Sequence, residues 1–530
     1  MLNNYQNTKS GIILLEDFST HSKQYTVNKF KELKNGINIL NTRVGWNRYY
    51  LILISILVVS AFSHLWNVAG FPDIFFDEGV YMRRAMHVLN GQSPQEGSFY
   101  DHPLFGQTFL AGVLGSIGYP QSLSPSADVN SISMLYVVPR IIMGLLAVAD
   151  TFLIYKIAGK RYGQSVALVS AALFAVMPMS WIFRRILLDS ILLPFLLLSI
   201  LTALHSRDSK HPVGLVLLSG ICLGLAVFTK IPAFTMIPLV GGMIFFGNTK
   251  RYKLLALLLL PVILIPLLWP LQSIEAGQFN YWMRDVFYFQ THRIGGADLN
   301  YITKSFMQMD PALFWLAAAG IGFAAIRRDY FVLGWFTPFV IFLYAINYNQ
   351  YFYWIPVIPV MCIAAAVLIV KLFEKIPREK IAHVGAIVFV LGICIFGMVG
   401  LVKLITTDMT SAEYAATAFV VNQPNDNDTS ILASPTYTWI FSDVFHKKNV
   451  PLDYSQILTD PVNTTKVILV ADPHFIVDFK RGPQISDMYN STQLVTTFDD
   501  DLSRYDTDHY PFQSLYSTTE GKHIEIRVKN

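Results

Sequence analysis

Long apolar runs separated by short polar or charged stretches organise the chain up to about residue 405. They lie near 49–66, 135–155, 164–182, 186–204, 213–229, 233–247, 254–271, 312–326, 331–347, 354–371 and 383–405. Each is long or apolar enough to predict a helix crossing a bilayer, whose hydrocarbon core takes about 20 helical residues to span. After residue 405 the pattern changes. Ser411 to Val421 keeps a helical period, with Ser411 as a candidate cap, while Ser430 to Ser434 and Lys466 to Ala471 are apolar runs of strand length. The expected fold class is an α-helical polytopic membrane protein of about eleven spans with a small α/β domain at its C-terminal end. The expected domains are an N-terminal segment 1–47 with a helix around 25–40, a transmembrane domain 48–405, and a soluble α/β domain 406–530.

Composition agrees with that class: of 530 residues, 53% are hydrophobic and only 14% charged, which is wrong for a soluble protein of this size. Basic residues set the expected orientation, because they are retained on the cytoplasmic side of short loops. The N-terminal stretch is basic, and so is every second connection: Lys156, Lys160 and Arg161; Arg207 and Lys210; Lys250, Arg251 and Lys253; Arg327 and Arg328; Lys371, Lys375, Arg378 and Lys380. A multi-pass protein of the cell membrane is expected, with its N-terminus cytoplasmic and its C-terminal domain outside. The first apolar run has no small-residue cleavage pattern after it, so it is expected to serve as its own insertion signal. Three sequons, at Asn427, Asn463 and Asn490, all fall in the C-terminal domain, on the side the basic residues assign to it. Acids such as Asp426, Asp428, Asp499, Asp500 and Asp501 gather there too. Cys222, Cys362 and Cys394 all lie in apolar runs and read as buried small hydrophobes, so the outer domain is expected to hold no disulfide.

The candidate chemistry sits on the outer side. Asp77 and Glu78 follow the first span, and Asp101-His102-Pro103 comes later in the same loop. Arg184 and Arg185 end the third span, Asp189 opens the fourth, and Lys230 ends the fifth. Arg284, His292 and Arg293 belong to the loop 272–311, and Tyr351 and Tyr353 open the tenth span. Charge at membrane depth costs several kcal/mol unless it faces protein or water, so each such residue is a functional candidate. Cations on the outer face oppose the positive-inside bias and point to an anionic partner, of which a lipid phosphate is the obvious one.

Bland readings stand beside these: arginines and Lys230 snorkelling to headgroups, Asp189 as an ion-pair partner of the arginines, His292 and Arg293 as a solvated pair, Asp101-His102-Pro103 as a turn, and Asp77-Glu78 as helix capping. No glycine loop of a nucleotide-binding enzyme is present, and no nucleic-acid partner is expected.

Taken in order, the Asp-Glu pair, the His-Pro-Leu turn, Arg-x-x-x-x-Asp at the fourth span, Thr229-Lys230 before the sixth and Tyr-x-x-Pro at a late span resemble the GT-C glycosyltransferases. The branch they resemble holds the dolichyl-phosphate-mannose-protein mannosyltransferases and the lipid A aminoarabinose transferases. The resemblance implies Asp77 as catalytic base with Glu78 completing the pair. It puts Asp101 and His102 near the donor phosphate and Arg184 or Arg185, Lys230, Arg293 and Tyr353 in contact with the lipid-linked phosphate. Mannosyltransferases often show His-Pro-Pro where this chain has only His102-Pro103.

The chemistry expected is inverting transfer of a sugar from a polyprenyl-phosphate donor to a protein or lipid acceptor, in contact with membrane lipids. It needs one base on the acceptor hydroxyl and positive charge on the departing phosphate. A divalent metal stays open, since Glu78, Asp101 and Asp189 are oxygen donors that would suit one or pair with arginine instead. The alternative class is a transporter or flippase, whose charges would stand near the midplane and whose halves often repeat; a third is an inactive scaffold with a ligand-binding outer domain.

Overall fold

A computed structural model describes residues 46–290, 292, 299–346, 349–458, 464–472, 475, 483–500 and 523–529. The helix expected around 25–40, and Arg293, Asn463 and Asp501, lie outside the described residues. Residues up to Ser55 and those from Ile56 onward cluster as separate units, and all that follows concerns the second.

Helices stand at every expected span position. Among the described residues six are long and apolar enough to cross a membrane: Arg48–Leu65, Val129–Tyr162, Leu188–Ser206, Pro212–Thr229, Arg251–Glu275 and Glu379–Ile405. Two further pairs are bent, Gln164–Val176 with Pro178–Arg184 by 70° and Leu299–Met309 with Pro311–Arg327 by 118°. Ile231–Gly247, Tyr330–Ile346 and Ile358–Phe373 are apolar but shorter.

The bends have a local cause. Pro178 lacks an N–H, and the residue before a proline is pushed to extended backbone, as Met177 is at φ −69° and ψ 138°. Pro311 likewise opens a new helix, with Asp310 as its cap accepting the Leu313 N–H at 2.9 Å. The other Asp310 oxygen accepts the Met179 N–H at 3.2 Å, so the two bends brace each other.

One end of the bundle gathers basic connections that are far apart in sequence. Lys160 pairs with Asp208 at 2.7 Å and Arg161 with Asp329 at 3.4 Å, while Asn248 donates to Ser206 at 3.4 Å. The candidate residues gather at the opposite end. There the stretch expected as a loop over 272–311 is largely helical, with short turns at Leu268–Glu275, Phe279–Met283 and Arg284–Phe289 before Leu299–Met309. These turns leave Leu271, Ile274, Phe279 and Phe287 exposed, an arrangement suited to lipid rather than water.

Past the helix Ser411–Val421, whose cap position is Thr410 rather than Ser411, four strands form one sheet in the order β1-β2-β4-β3. Among the described residues the strands are β1 (Thr429–Leu432), β2 (Lys466–Ala471), β3 (Gln493–Asp499) and β4 (His523–Lys529); β1 and β2 pair in parallel, and β4 pairs antiparallel with β2 and β3. One face packs Leu432, Val467 and Leu469 against Tyr454, Phe475 and Ile485.

Candidate active site

The helix Phe76–Leu89 places the first candidates, and residues three and four apart on a helix share a face. Asp77, Tyr81 and Arg84 make one such stripe. Tyr81 is buried, its ring centroid 6.0 Å from that of His102. Burial first, then the negative charges of Asp77, Asp189 and Asp101, holds its hydroxyl well above the ordinary tyrosine range, which puts three candidate carboxylates around one ring. Asp77 itself is half-buried.

Glu78 points the other way and is 0% exposed. Its carboxylate accepts the Phe75 N–H at 2.9 Å, which is half of a capping box, and the Ile186 N–H at 2.9 Å. Arg140 donates to it at 2.8 and 3.2 Å and Arg185 at 3.5 Å. Arg140 also donates to the carbonyls of Val68, Pro72 and Asp73 at 3.2, 2.7 and 3.0 Å, so its whole fork is spent on folding the loop before Asp77. Arg185 donates to the Asp73 carbonyl at 2.7 Å, pairs with the Asp73 carboxylate, and lies over the rings of Phe75 and Trp181. Arg184, fully buried, turns back to the carbonyls of His64 and Trp66 at the end of the first span.

Lys230 and Asp189 form a buried ion pair at 2.5 Å, so the partner of Asp189 is Lys230 and not an arginine. The Lys230 ammonium lies 4.5 Å from the Tyr353 ring centroid and 5.1 Å from that of Phe352. Gly106 lets the helix after the His102 turn settle here, since a Cβ on it would stand 2.5 Å from Leu188 and 3.0 Å from Thr229. Asp101 pairs with Arg84 at 3.0 Å and caps its own turn by accepting the His102 N–H at 2.9 Å. Burial alone would raise the Asp101 carboxyl; the charges of Arg84 and His102 outweigh it and bring it below the usual range. Glu96 behaves alike, with burial opposed by its bonds to Arg83 at 2.5 and 2.7 Å and by Arg84 at 3.2 Å.

Tyr81 links part of this set, since His102 stands beside its ring and the charges of Asp77, Asp101 and Asp189 act on its hydroxyl, while Asp189 leads on to Lys230 and Tyr353; Arg185 pairs instead with Asp73 and Glu78. His292 is exposed, stacked on Tyr288 at 4.3 Å and donating to its carbonyl at 2.9 Å. Arg284 pairs with Asp285, whose carboxylate also takes the Tyr100 N–H at 2.8 Å. Arg140, Asp73 and the trio Arg83, Arg84 and Glu96 are not singled out from the sequence. A charge inside an apolar run was the available signal for Arg140. Among the described residues no three His, Cys, Asp or Glu side chains converge as metal ligands.

The model of the dolichyl-phosphate-mannose-protein mannosyltransferase family matches residues 54–291, a stretch running from the first span through Lys230. ArnT from Cupriavidus metallidurans, bound to undecaprenyl phosphate, is 12% identical at a TM-score of 0.55, with 91% of this chain and 98% of that one covered. The archaeal oligosaccharyltransferase AglB from Archaeoglobus fulgidus, in complex with an inhibitory peptide and a dolichol-phosphate, is 13% identical at a TM-score of 0.53 over 82% of this chain and 70% of that one. No curated protein matches the sequence. The chain therefore has the fold of these membrane glycosyltransferases, with a mannosyltransferase family match over its first spans. The family match covers less than half of the chain and the two solved structures share its fold, and nothing in these matches favours the transporter alternative.

Proposed function

We propose that the chain transfers a sugar from a polyprenyl-phosphate donor to a hydroxyl of a protein or lipid acceptor at the outer face of the membrane, with inversion. The observation that carries this reading is the half-buried Asp77 sharing the Tyr81 hydroxyl's surroundings with Asp101 and Asp189, the latter paired with the buried Lys230 whose ammonium lies over the Tyr353 ring. The acceptor oxygen attacks the anomeric carbon, the bond from that carbon to the phosphate oxygen breaks, and the acceptor proton passes to the Asp77 carboxylate. The leaving polyprenyl phosphate gains a negative charge as it departs. Lys230, with two donors beyond the one given to Asp189, supplies positive charge there, and the Tyr353 ring lies against its ammonium. Glu78 takes a positioning role here, because every hydrogen bond it makes is to the protein interior. The test is transfer from defined polyprenyl-phosphate sugars to peptide and glycolipid acceptors by the purified protein, with uptake or flipping of the lipid-linked substrate in proteoliposomes as the contrast. Absence of any sugar transfer together with uptake of a lipid-linked substrate would replace this reading by the transporter.

Removing Lys230 tests the phosphate assignment. Lys230→Ala is expected to weaken donor capture about tenfold or more, since a charge-assisted bond in a desolvated site contributes roughly 1.5–3 kcal/mol. Asp189→Asn is its companion, because the alanine also strands a buried carboxylate. Titration of a fluorescent polyprenyl-phosphate analogue that gives the wild-type affinity in both variants takes Lys230 out of the donor site.

Orientation has its own test. The basic connections that meet at the end away from Asp77 support an inside location for Lys253 and an outside one for Asn427. In intact cells, with the three native cysteines removed, a cysteine at Asn427 should react with an impermeant thiol reagent and one at Lys253 should not. The reverse pattern would place the proposed reaction on the cytoplasmic leaflet.

A further inference from the structure

The helix that carries Asp77 has a second stripe, four residues apart, formed by Gly79, Arg83 and His87. Each of the three meets the segment 435–452 beyond the last span. A Cβ on Gly79 would lie 2.2 Å from the Pro435 carbonyl oxygen and 2.5 Å from the Thr436 nitrogen, so the two backbones are in direct contact. Arg83 donates to the Leu452 carbonyl at 2.6 Å and approaches the Thr438 hydroxyl at 3.5 Å, while its other nitrogens hold Glu96. His87 stands 3.8 Å from Asp443 and 3.8 Å from Glu96. The same segment is fastened to the helix Val129–Tyr162. Tyr136 donates its hydroxyl proton to the Thr436 carbonyl at 2.7 Å and accepts the Trp439 indole N–H at 2.9 Å, one turn from Arg140. Upstream, the loop before Asp77 is tied to the same half of the chain. Asn67 donates to the carbonyls of Ile405 and Thr407, and the Met409 N–H donates to the Gly70 carbonyl at 2.7 Å.

We propose that the segment 435–452 is a positioning element of the active site: it sets where the first turn of the helix Phe76–Leu89 stands, and Arg83 and Trp439 are its positioning residues. The proposal rests on the base assignment of Asp77. Its physical ground is that a helix held along one stripe from Gly79 to His87 moves as a rod, so the angle of that seat fixes the Asp77 carboxylate relative to Asp101, Asp189 and Lys230. A displacement of about 1 Å in a reacting group costs up to roughly a hundredfold in rate. The C-terminal part of the chain therefore acts on the chemistry without touching substrate.

The test is a double-mutant cycle on the full-length protein in nanodiscs, assayed with a radiolabelled polyprenyl-phosphate sugar. Arg83→Met is expected to lower kcat about tenfold or more in the folded protein with KM for the donor near wild type, the midpoint falling because Glu96 loses its Arg83 bonds, and Arg83→Lys should recover part of the kcat loss. In an Asp77→Asn background the same Arg83→Met change should cost less than about twofold, since there is no base left to misplace. An equal loss in both backgrounds, or a loss carried by KM, overturns the proposal. If Arg83→Met does not fold, Trp439→Phe replaces it in the cycle, as it deletes one N–H and keeps the ring, and the same two outcomes decide. Normal transfer by Asp77→Asn alone sinks the base assignment and this proposal with it, and is thereby told apart from a failure of positioning.

Discussion

Replacing Asp77 by Asn is expected to reduce sugar transfer by about a hundredfold or more while donor affinity stays near wild type. General base catalysis by a positioned side chain contributes roughly 10²–10⁴ in rate, and asparagine removes proton acceptance while keeping size and shape. The surroundings make the outcome interpretable. Asp77 lies in the first turn of its helix, where an acid also interacts favourably with the helix dipole, but that effect amounts to only about 0.3–1 kcal/mol and would appear in the unfolding midpoint, not in kcat. The cations of the site stand on other elements, Arg185 before the fourth span and Lys230 after the fifth, so the donor phosphate keeps its partners in the variant. Single-turnover transfer and donor titration on the same preparation separate the two terms. Transfer at the normal rate would remove Asp77 from the chemistry and with it the mechanism proposed here.

Much of the architecture was legible because the bilayer imposes one length on every span, and a run such as Pro212 to Thr229 has no alternative use. What the apolar pattern does not carry is where a span breaks. The bends after Val176 and before Pro311 come from single prolines inside or beside continuous apolar runs, and the mutual brace through Asp310 joins residues 131 positions apart. Strand β2 coincides with the run Lys466 to Ala471 because that strand is buried along nearly its whole length. The candidate site was legible as a set of charges on one side, but the pairing within the set was not. Lys230 and Asp189 are 41 positions apart, and Arg140 and Glu78 are 62 apart, so only the packing of spans reveals which charge answers which. Arg140 is the instructive omission. It interrupts the run Val137-Val138-Pro139 and Ile141-Ile142, and a full guanidinium there already implies a buried acid somewhere facing it. The tethers of the segment 435–452 to the helix Phe76–Leu89 left no trace in the sequence, since Gly79 and Arg83 meet backbone atoms that any residue supplies and His87 and Asp443 lie far apart along the chain.

The pair of Glu78 and Arg140 leads to the largest expected effect on stability. Both side chains are fully buried, and Arg140 serves Glu78 and three backbone carbonyls at once. Arg140→Met keeps much of the volume but leaves the buried Glu78 carboxylate with the Phe75 and Ile186 N–H groups and, as a cation, only Arg185 at 3.5 Å, and it frees the carbonyls of Val68 and Pro72. Removing one partner of a buried ion pair costs about 3–5 kcal/mol, much of it from the charge left behind, so the unfolding midpoint in detergent should fall by several degrees. Glu78→Gln should be destabilising in the same direction, because it strands the guanidinium. The double variant Glu78→Gln with Arg140→Met should cost less than the sum of the two, as both changes act on one interaction. This result also divides the labour within the Asp77-Glu78 pair. A proton-accepting Glu78 would give a Gln variant that folds normally and fails in kcat, whereas a structural Glu78 gives one whose midpoint falls and whose remaining folded fraction transfers sugar. Unchanged midpoints for both single variants would show that the buried pair does not hold the loop before Asp77, and the positioning role assigned to Glu78 would have to be withdrawn.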